Sequence, residues 1–163
     1  MKKLIIILTA LLLCSAAKGQ VYLGGGFGIT SSYHGRGISL YIAPDVAYRI
    51  NNSFVTGAQL SYRTGYPGLG FTPYIRWHAA PLGDSVSLFL SASMPCVFQE
   101  DYTTINFRIR PGAAVRVSDR LYMVAHIGAF GYGTTYCDGE KVSSGWFASL
   151  DRDYINVGFC IML

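Results

Sequence analysis

The sequence predicts an all-β protein, an eight-stranded antiparallel up-and-down transmembrane β-barrel preceded by a cleaved signal peptide. Three observations support this prediction. Segments of about 10–13 residues alternate apolar and polar side chains, as tilted membrane strands do. Short and long connections alternate between these segments, and the N-terminus has the layout of an export signal.

Residues 1–19 have the three parts of a secretory signal peptide. Met1-Lys2-Lys3 is basic, Leu4 to Leu13 is apolar, and Ala17-Lys18-Gly19 supplies the small residues of a cleavage site. The apolar run is shorter than the roughly 20 residues that a membrane-spanning helix needs. We therefore expect residues 20–163 to form one exported barrel domain.

Charge and cysteine content exclude several classes of function. Removing Lys2, Lys3 and Lys18 with the signal leaves ten basic against nine acidic residues, so nucleic acid is not an expected partner. Cys14 follows two leucines, which suits a lipid-attachment site poorly. No C-x-x-C pair or Cys/His cluster indicates a metal site, and no cofactor is expected.

The eight predicted strands each have an apolar face, because successive side chains of a strand point to opposite sides. In order, the strands are Val21 to Thr30, Ile38 to Ile50, Phe54 to Arg63, Leu69 to Ala79, Ser85 to Val97, Ile105 to Val117, Leu121 to Tyr132 and Tyr154 to Leu163.

The first four strands show this alternation along most of their length. Their apolar faces are Val21, Leu23, Phe27 and Ile29; Ile38, Leu40, Ile42, Pro44, Val46, Tyr48 and Ile50; Phe54, Ala58, Leu60 and Tyr62; and Phe71, Ile75 and Trp77. Asn51-Asn52-Ser53 predicts a tight turn after the second strand, because Asn tolerates the left-handed conformation. Longer polar connections near His34 and Gly65 alternate with it.

The last four strands continue the pattern. Their apolar faces are Val86, Leu88, Leu90, Ala92 and Met94; Ile105, Phe107, Ile109, Pro111, Ala113, Val115 and Val117; Met123 and Ile127; and Ile155, Val157, Phe159, Ile161 and Leu163. Brief turns near Pro81 and Asp119 alternate with longer segments near Asp101 and Asp138. This alternation is typical of outer-membrane barrels, whose periplasmic turns are short and extracellular loops long.

The arginines decide which way the apolar faces point. Arg108, Arg110 and Arg116 share one face of the sixth strand, and an Arg at the bilayer midplane costs about 2–4 kcal/mol. We therefore expect the apolar side to face lipid and a polar network to fill the lumen of so narrow a barrel. The predicted network comprises Asp45, Arg49, Gln59, Arg63, Tyr74, Arg76, Arg108, Arg110, Arg116 and His126. Periodicity alone also allows a secreted soluble lipocalin-like barrel that binds an apolar ligand inside.

Several short motifs resemble small porin-like outer-membrane β-barrel proteins of Gram-negative bacteria. They are Ile42 to Asn51 followed by Phe54 to Tyr62, Pro73 to Trp77, Arg110 to Ala113, and Val157 to Phe159. The resemblance covers residues 20–163. It implies an eight-stranded barrel in the outer membrane, in contact with its lipid and recognised by the barrel-assembly machinery through its final strand.

Two features depart from that family. The chain ends in Leu163, where its members usually carry an aromatic residue. Pro44, Pro73 and Pro111 lie inside predicted strands. A closed barrel has no edge strand, so each proline should remove a hydrogen bond that a neighbouring strand would otherwise accept. We expect these prolines at bulges or near the loop-side strand ends.

The sequence does not favour an enzyme. A lipid-modifying barrel needs a nucleophile and base near its rim, usually oriented by a carboxylate. His78 and His126 point to the lumen in the predicted register, and no spacing supports a catalytic set around His34. No catalytic residue is predicted, and a lipid-modifying enzyme or a narrow anion pore is a further alternative.

Loops are the expected place for binding, because binding residues are more often on loops than on barrel walls. The candidate residues are Tyr33, His34 and Arg36 in the first loop and Asp138, Glu140 and Lys141 within residues 134–144. These predict a structural, adhesive or loop-mediated role towards an extracellular ligand. Cys96 and Cys137 both lie toward the loops, where a disulfide between them can form outside the cytosol, and Cys160 is expected to be free.

Overall fold

A computed structural model describes residues 21–31, 38–64, 68–82, 85–150 and 156–163. The described residues form eleven strands and no helix long and apolar enough to cross a membrane. The strands are β1 Val21–Ser31, β2 Ile38–Arg49, β3 Phe54–Arg63, β4 Gly68–Leu82, β5 Val86–Ser93, β6 Cys96–Phe98, β7 Tyr102–Arg116, β8 Leu121–His126, β9 Ala129–Cys137, β10 Glu140–Ser149 and β11 Asn156–Met162. The predicted signal peptide lies outside the described residues.

Eight of the strands close into an antiparallel barrel. Each of β1 to β4 pairs with the next strand in sequence, β5 pairs with β7, and β7 pairs with β8. β11 then joins β8 to β1 and completes the ring. The predicted eight-stranded antiparallel barrel is confirmed.

The predicted direction of the two strand faces is also confirmed. Thirty large hydrophobic side chains of the described residues are exposed, and most of them lie on the predicted apolar faces; Phe27 is 79% exposed and Ile42 59%. The alternate residues point into the barrel, where Arg110 is 5% exposed. We call the end of the barrel with the Asn51 turn the turn side and the opposite end the loop side.

The turn side is held by local hydrogen bonds. The Oδ1 atom of Asn51 accepts the backbone N–H groups of Ser53 and Phe54 at 2.8 and 2.9 Å. At the next described turn the hydroxyl of Ser118 accepts the N–H of Leu121 at 3.3 Å. Side-chain oxygens that accept backbone N–H groups stabilise tight turns, which explains why these two connections are short.

A bulge divides the seventh predicted strand into β8 and β9. Gly112 pairs with His126 on one side of the bulge, whereas Ile109 pairs with Phe130 on the other. Between these two pairs, the segment that joins β8 to β9 has one residue more than β7. Gly128 lies in this extra turn with φ of 70°, a conformation that suits glycine. The prediction of one continuous strand from Leu121 to Tyr132 was therefore wrong.

The polar stretch from Thr134 to Ser144, predicted as a loop, is instead the upper part of a β-hairpin. β9 and β10 pair along nearly their whole length around a two-residue turn, Asp138 and Gly139, with φ of 50° and 85°. Asp-Gly is the preferred sequence for such a turn, because both central residues need positive φ. Glu140 and Lys141 consequently lie on a strand.

Only one of the three prolines lies where we expected them, at a bulge or near a loop-side strand end. Pro111 lies at the bulge, and its carbonyl accepts the N–H of Ile127 at 3.0 Å. Pro44 and Pro73 are in mid-strand and cause no register shift. Each pairs regularly with one neighbouring strand, to Gly25 and Ala58 respectively, while the ladder on the other side is interrupted beside it. A proline has no N–H to donate, so an interruption on one side is enough to accommodate it.

Candidate ligand cavity in the barrel lumen

The loop-side half of the lumen contains a cavity of 560 Å³. Of the ten residues predicted to form a lumen network, eight line it: Asp45, Gln59, Arg63, Tyr74, Arg76, Arg108, Arg110 and His126. The network residues therefore surround a space, and the expectation that they fill the lumen needs correction. At the side of the cavity, its lining also includes Phe27, Val157 and Phe159, near the end of the β1–β11 ladder.

Apolar side chains pack together in the lumen below this cavity, on the turn side. One cluster contains Tyr22, Ala47, Val55 and Tyr74, and a second contains Phe89, Ala114 and Val124; Cys160 packs against both. We call these two clusters the floor. Phe89 is 3% exposed and its ring lies 5.1 Å from that of His126 and 5.5 Å from that of His78.

Two glycines make room for the largest rings of the floor. Gly112 pairs with Phe89 across strands β5 and β7, and a Cβ added to it would collide with the Phe89 ring. Gly57 pairs with Tyr74, and its added Cβ would lie 2.6 Å from the Tyr74 hydroxyl. Each ring therefore lies over the backbone of the neighbouring strand, which allows a narrow barrel to hold large side chains.

Asp45 is the centre of a bonded group at the boundary of floor and cavity. The hydroxyl of Tyr74 lies 2.9 Å from both carboxylate oxygens of Asp45, to which it donates. Nη2 of Arg76 lies 3.6 Å from Oδ2 of the same carboxylate, and both side chains are about nine-tenths buried. The guanidinium also stacks 4.3 Å from the Tyr74 ring centroid. These contacts fix three side chains against one another.

The other arginines of the cavity also have contacts with their surroundings. Nε of Arg110 donates to the carbonyl of Gly128 at 3.4 Å, so the bulge turns a backbone acceptor towards a buried cation. Nε of Arg108 donates to the hydroxyl of Ser93 at 3.3 Å. The guanidinium of Arg63 lies 5.7 Å from the Tyr41 ring centroid. The arginines become more exposed towards the loop side, from Arg110 at 5% to the exposed Arg63.

Two predicted network residues lie outside the cavity lining, on the turn side. Arg49 stacks 5.3 Å from the Tyr22 ring centroid, on the strand that precedes the Asn51 turn. Arg116 lies 3.8 Å from Asp119, in a pair whose side chains are 49% and 98% exposed. The floor separates these two arginines from the four that line the cavity.

The predicted loop residues are only partly described. Tyr33, His34 and Arg36 lie outside the described residues. Asp138 is at the hairpin turn, where it lines a cleft of 340 Å³ with Glu100 and Asp101. Glu140 and Lys141 begin the exposed strand β10. Of the six candidates, the structure therefore places three together at the rim.

The strand order does not support the expected disulfide between Cys96 and Cys137. Cys96, Cys137 and Cys160 are all free thiols. Cys96 pairs with Ile105 on one side of β7, and Cys137 pairs with Tyr102 on the other side. Two strand spacings across a sheet are about 10 Å, more than the roughly 7 Å at which two Cα atoms can be bridged.

Sequence reasoning missed Phe89 as a main component of the floor. One signal was available, since Phe89 is the single aromatic residue on a face otherwise made of Ser87, Ser91 and Ser93. Such a break in a polar face indicates a buried ring. No group of three or more metal-ligating side chains occurs in the described ranges.

Comparisons with known proteins find similarity to solved structures and to no known family. No model of a known protein family matches the chain, and no curated protein matches it. The fold is similar to the crystal structure of neisserial surface protein A (NspA), with 15% sequence identity and a TM-score of 0.46. The match covers 88% of this chain and 96% of that chain.

Proposed function

We propose that this protein is an integral outer-membrane β-barrel, with a structural, adhesive or loop-mediated binding role and a lumen that does not conduct. The observation that carries the proposal is the reversed facing of the barrel, with apolar side chains outside and arginines inside. A soluble barrel hides its apolar face, whereas a barrel in lipid exposes it. The secreted lipocalin-like alternative loses its support on this ground.

Strand length supports the same proposal. A transmembrane strand needs about 9–11 residues at a tilt near 45°. β1, β2 and β3 have 11, 12 and 10 residues, and β4 and β7 have 15 each. Strands of ordinary globular proteins are usually about 5–6 residues long. Such long strands, apolar on their outer face, are expected of a wall that crosses lipid.

The floor supports a lumen closed to ions. Tyr22, Phe89 and Val124 are buried and lie in the turn-side half of the barrel. An eight-stranded barrel has room for little more than its own side chains. Movement of these floor side chains would therefore rarely open a path for ions. We propose that any binding function resides in the loops, the hairpin of β9 and β10, and the open half of the lumen.

Cell fractionation and electrophoresis test the location directly. We expect the folded chain in the outer-membrane fraction, migrating faster before boiling than after. The barrel-assembly machinery and outer-membrane lipid are the partners this proposal requires. Recovery in the soluble periplasmic fraction, with no change of mobility on boiling, would refute it.

A further inference from the structure

We infer that the lumen cavity opens through the barrel wall between β1 and β11 and binds a single-chain amphiphile from the membrane. The acyl chain lies in this opening and the polar head lies in the lumen. The inference names a ligand class for the open half of the lumen, and it rests on the proposed membrane role, because the opening faces lipid only in a membrane barrel. We call the region between residues 26–31 of β1 and residues 156–158 of β11 the side opening.

The wall separates at the side opening because the ladders of β1 and β11 end at different heights. The ladder between these two strands ends where Gly25 pairs with Phe159. β1 nevertheless stays paired with β2 as far as Ser31, and β11 stays paired with β8 as far as Asn156. Within the described ranges, no ladder joins residues 26–31 of β1 to β11. Each strand is therefore held by its other neighbour while the contact between the two ends.

The cavity reaches the outer surface of the barrel at this place. Phe27, Val157 and Phe159 belong to the apolar outward faces of their strands, and all three are exposed. The same three residues line the lumen cavity, together with inward residues such as Asp45. Residues of the outer face can line a lumen cavity only where the wall between them is interrupted. The cavity is therefore continuous with the surroundings of the barrel through the side opening.

Gly26 indicates that the side opening is not packed. Gly26 lines the cavity at the end of the β1–β11 ladder. Among the described residues, a Cβ added to it would have one neighbour within 4 Å, the carbonyl oxygen of Val157 at 3.7 Å. That distance is an ordinary van der Waals contact. The backbone of β1 therefore borders space here, where a paired strand would be only about 4.8 Å away.

The side opening lies at membrane depth. Gly26 is the middle residue of β1, five residues from Val21 and five from Ser31, so it lies near the centre of the apolar band. Irregular backbone at this depth occurs where it borders a cavity, because lipid offers no hydrogen-bond partner for peptide groups. The side opening extends from this level towards the loop side, so a ligand would enter from the leaflet on that side.

The two ends of the cavity differ in polarity, which indicates an amphiphile. Apolar side chains line the side opening, whereas hydroxyl and amide groups line the lumen on the strands opposite it. These polar residues are Tyr41, Gln59, Ser61, Thr72, Ser91 and Ser93. A cavity of 560 Å³ is also within the usual range of about 300–1,000 Å³ for small-molecule pockets. An acyl chain and a polar head match these two surroundings.

A buried donor gives an independent indication of the head group. Arg76 lines the cavity, and its Nε is buried and meets no acceptor within the described part of the chain. A buried donor without an acceptor destabilises a protein, so a ligand oxygen that accepts this bond gains affinity. The head group should therefore carry acceptor oxygens, as the carboxylate of a fatty acid does.

Alkylation of Cys160 tests the inference in phosphatidylcholine vesicles, with lauric acid as the probe. Cys160 is a free thiol that lines the cavity, and Cys137 is a free thiol beside the hairpin turn of β9 and β10. Lauric acid at about ten times its Kd should slow the reaction of Cys160 with N-ethylmaleimide about tenfold, because about a tenth of the sites stay empty. The rate at Cys137 should not change. Sodium acetate, which has the head without the chain, should protect neither thiol.

Gly26→Phe places a ring in the side opening and should weaken lauric acid binding by about tenfold or more. Gly145→Phe is the matched control, because Gly145 is outside the cavity lining and its added Cβ meets nothing within 4 Å. Phe27→Ala is a second variant that should fold, since Phe27 is exposed, and loss of its apolar contact should weaken binding by about fivefold or more. Heat-shifted mobility reports the folding of each variant.

Native mass spectrometry of the full chain in nonionic detergent counts the bound ligand independently of thiol reactivity. We expect one lauric acid per chain in the wild type and in Gly145→Phe, and none in Gly26→Phe at the same concentration. Equal protection of Cys160 and Cys137, or equal affinity in the wild type and Gly26→Phe, would overturn the inference. Absence of bound lauric acid from a wild-type barrel that shows heat-shifted mobility would also overturn it, and would leave the membrane role intact.

Discussion

An arginine introduced on the outer surface of the barrel tests whether the apolar faces of the strands contact lipid. Ile75 lies at the centre of β4, seven residues from Gly68 and seven from Leu82, and is 42% exposed. At about 3.3 Å per residue and a tilt near 45°, seven residues rise about 16 Å, more than half of an apolar band about 25 Å tall. Ile75 should therefore lie near the bilayer midplane.

Ile75→Arg should lower the free energy of unfolding in lipid vesicles by about 2–4 kcal/mol, the cost of an arginine at the midplane. The matched control is Val142→Arg. Val142 is 59% exposed in β10, close to the hairpin turn, where the cost should be about 0–1 kcal/mol. Urea titration, followed by the fraction that migrates in the folded position before boiling, measures both changes.

The same pair of variants has a different outcome if water surrounds the barrel. Both side chains would then be ordinary surface positions, where substitutions usually change stability by less than about 0.5 kcal/mol. Two variants within that range of the wild type would refute the facing argument and the membrane role that depends on it. A loss confined to Ile75→Arg would support both.

Three further predictions concern the interior. Gly112→Val should destabilise the barrel by about 1–3 kcal/mol in urea titration, because its side chain displaces the Phe89 ring, whereas Gly145→Val, whose added Cβ meets nothing within 4 Å, should be close to neutral. Asp45→Ala should lower the free energy of unfolding by about 3 kcal/mol, because a buried arginine loses its carboxylate partner. Asp119→Ala removes one partner of an exposed ion pair and should lower it by less than about 1 kcal/mol. Equal losses of stability in the two variants would contradict this account. In planar bilayers the wild type should give no steady current, and a stable anion-selective conductance would show that the floor is open.

The strand segments and their facing were predictable because both are local. Alternation in a strand such as Ile38–Arg49 needs only a period of two, and the energetic cost of arginine in lipid assigns the direction. The candidate site was predictable in part for the same reason. Eight of ten expected network residues do line one cavity, since they share the inward face.

The errors arose where one position depends on a distant neighbour. The bulge at Gly128 and the interruption beside Pro73 depend on which residues lie across the ladder, and a single strand does not specify that. The β9–β10 hairpin was missed for another reason. Its Asp138-Gly139 turn signal was present, but the polar residues around it favoured a loop.

The sequence by itself determined the number of barrel strands, their antiparallel order and the inward arginines, because these follow from periodicity, turn residues and the cost of charge in lipid. Only the tertiary structure decided how the interior is used. Register sets the height of every inward side chain, and it places Phe89 over Gly112 in a packed floor and the arginines around a cavity above it. The arginines consequently line a space above the floor instead of filling the barrel.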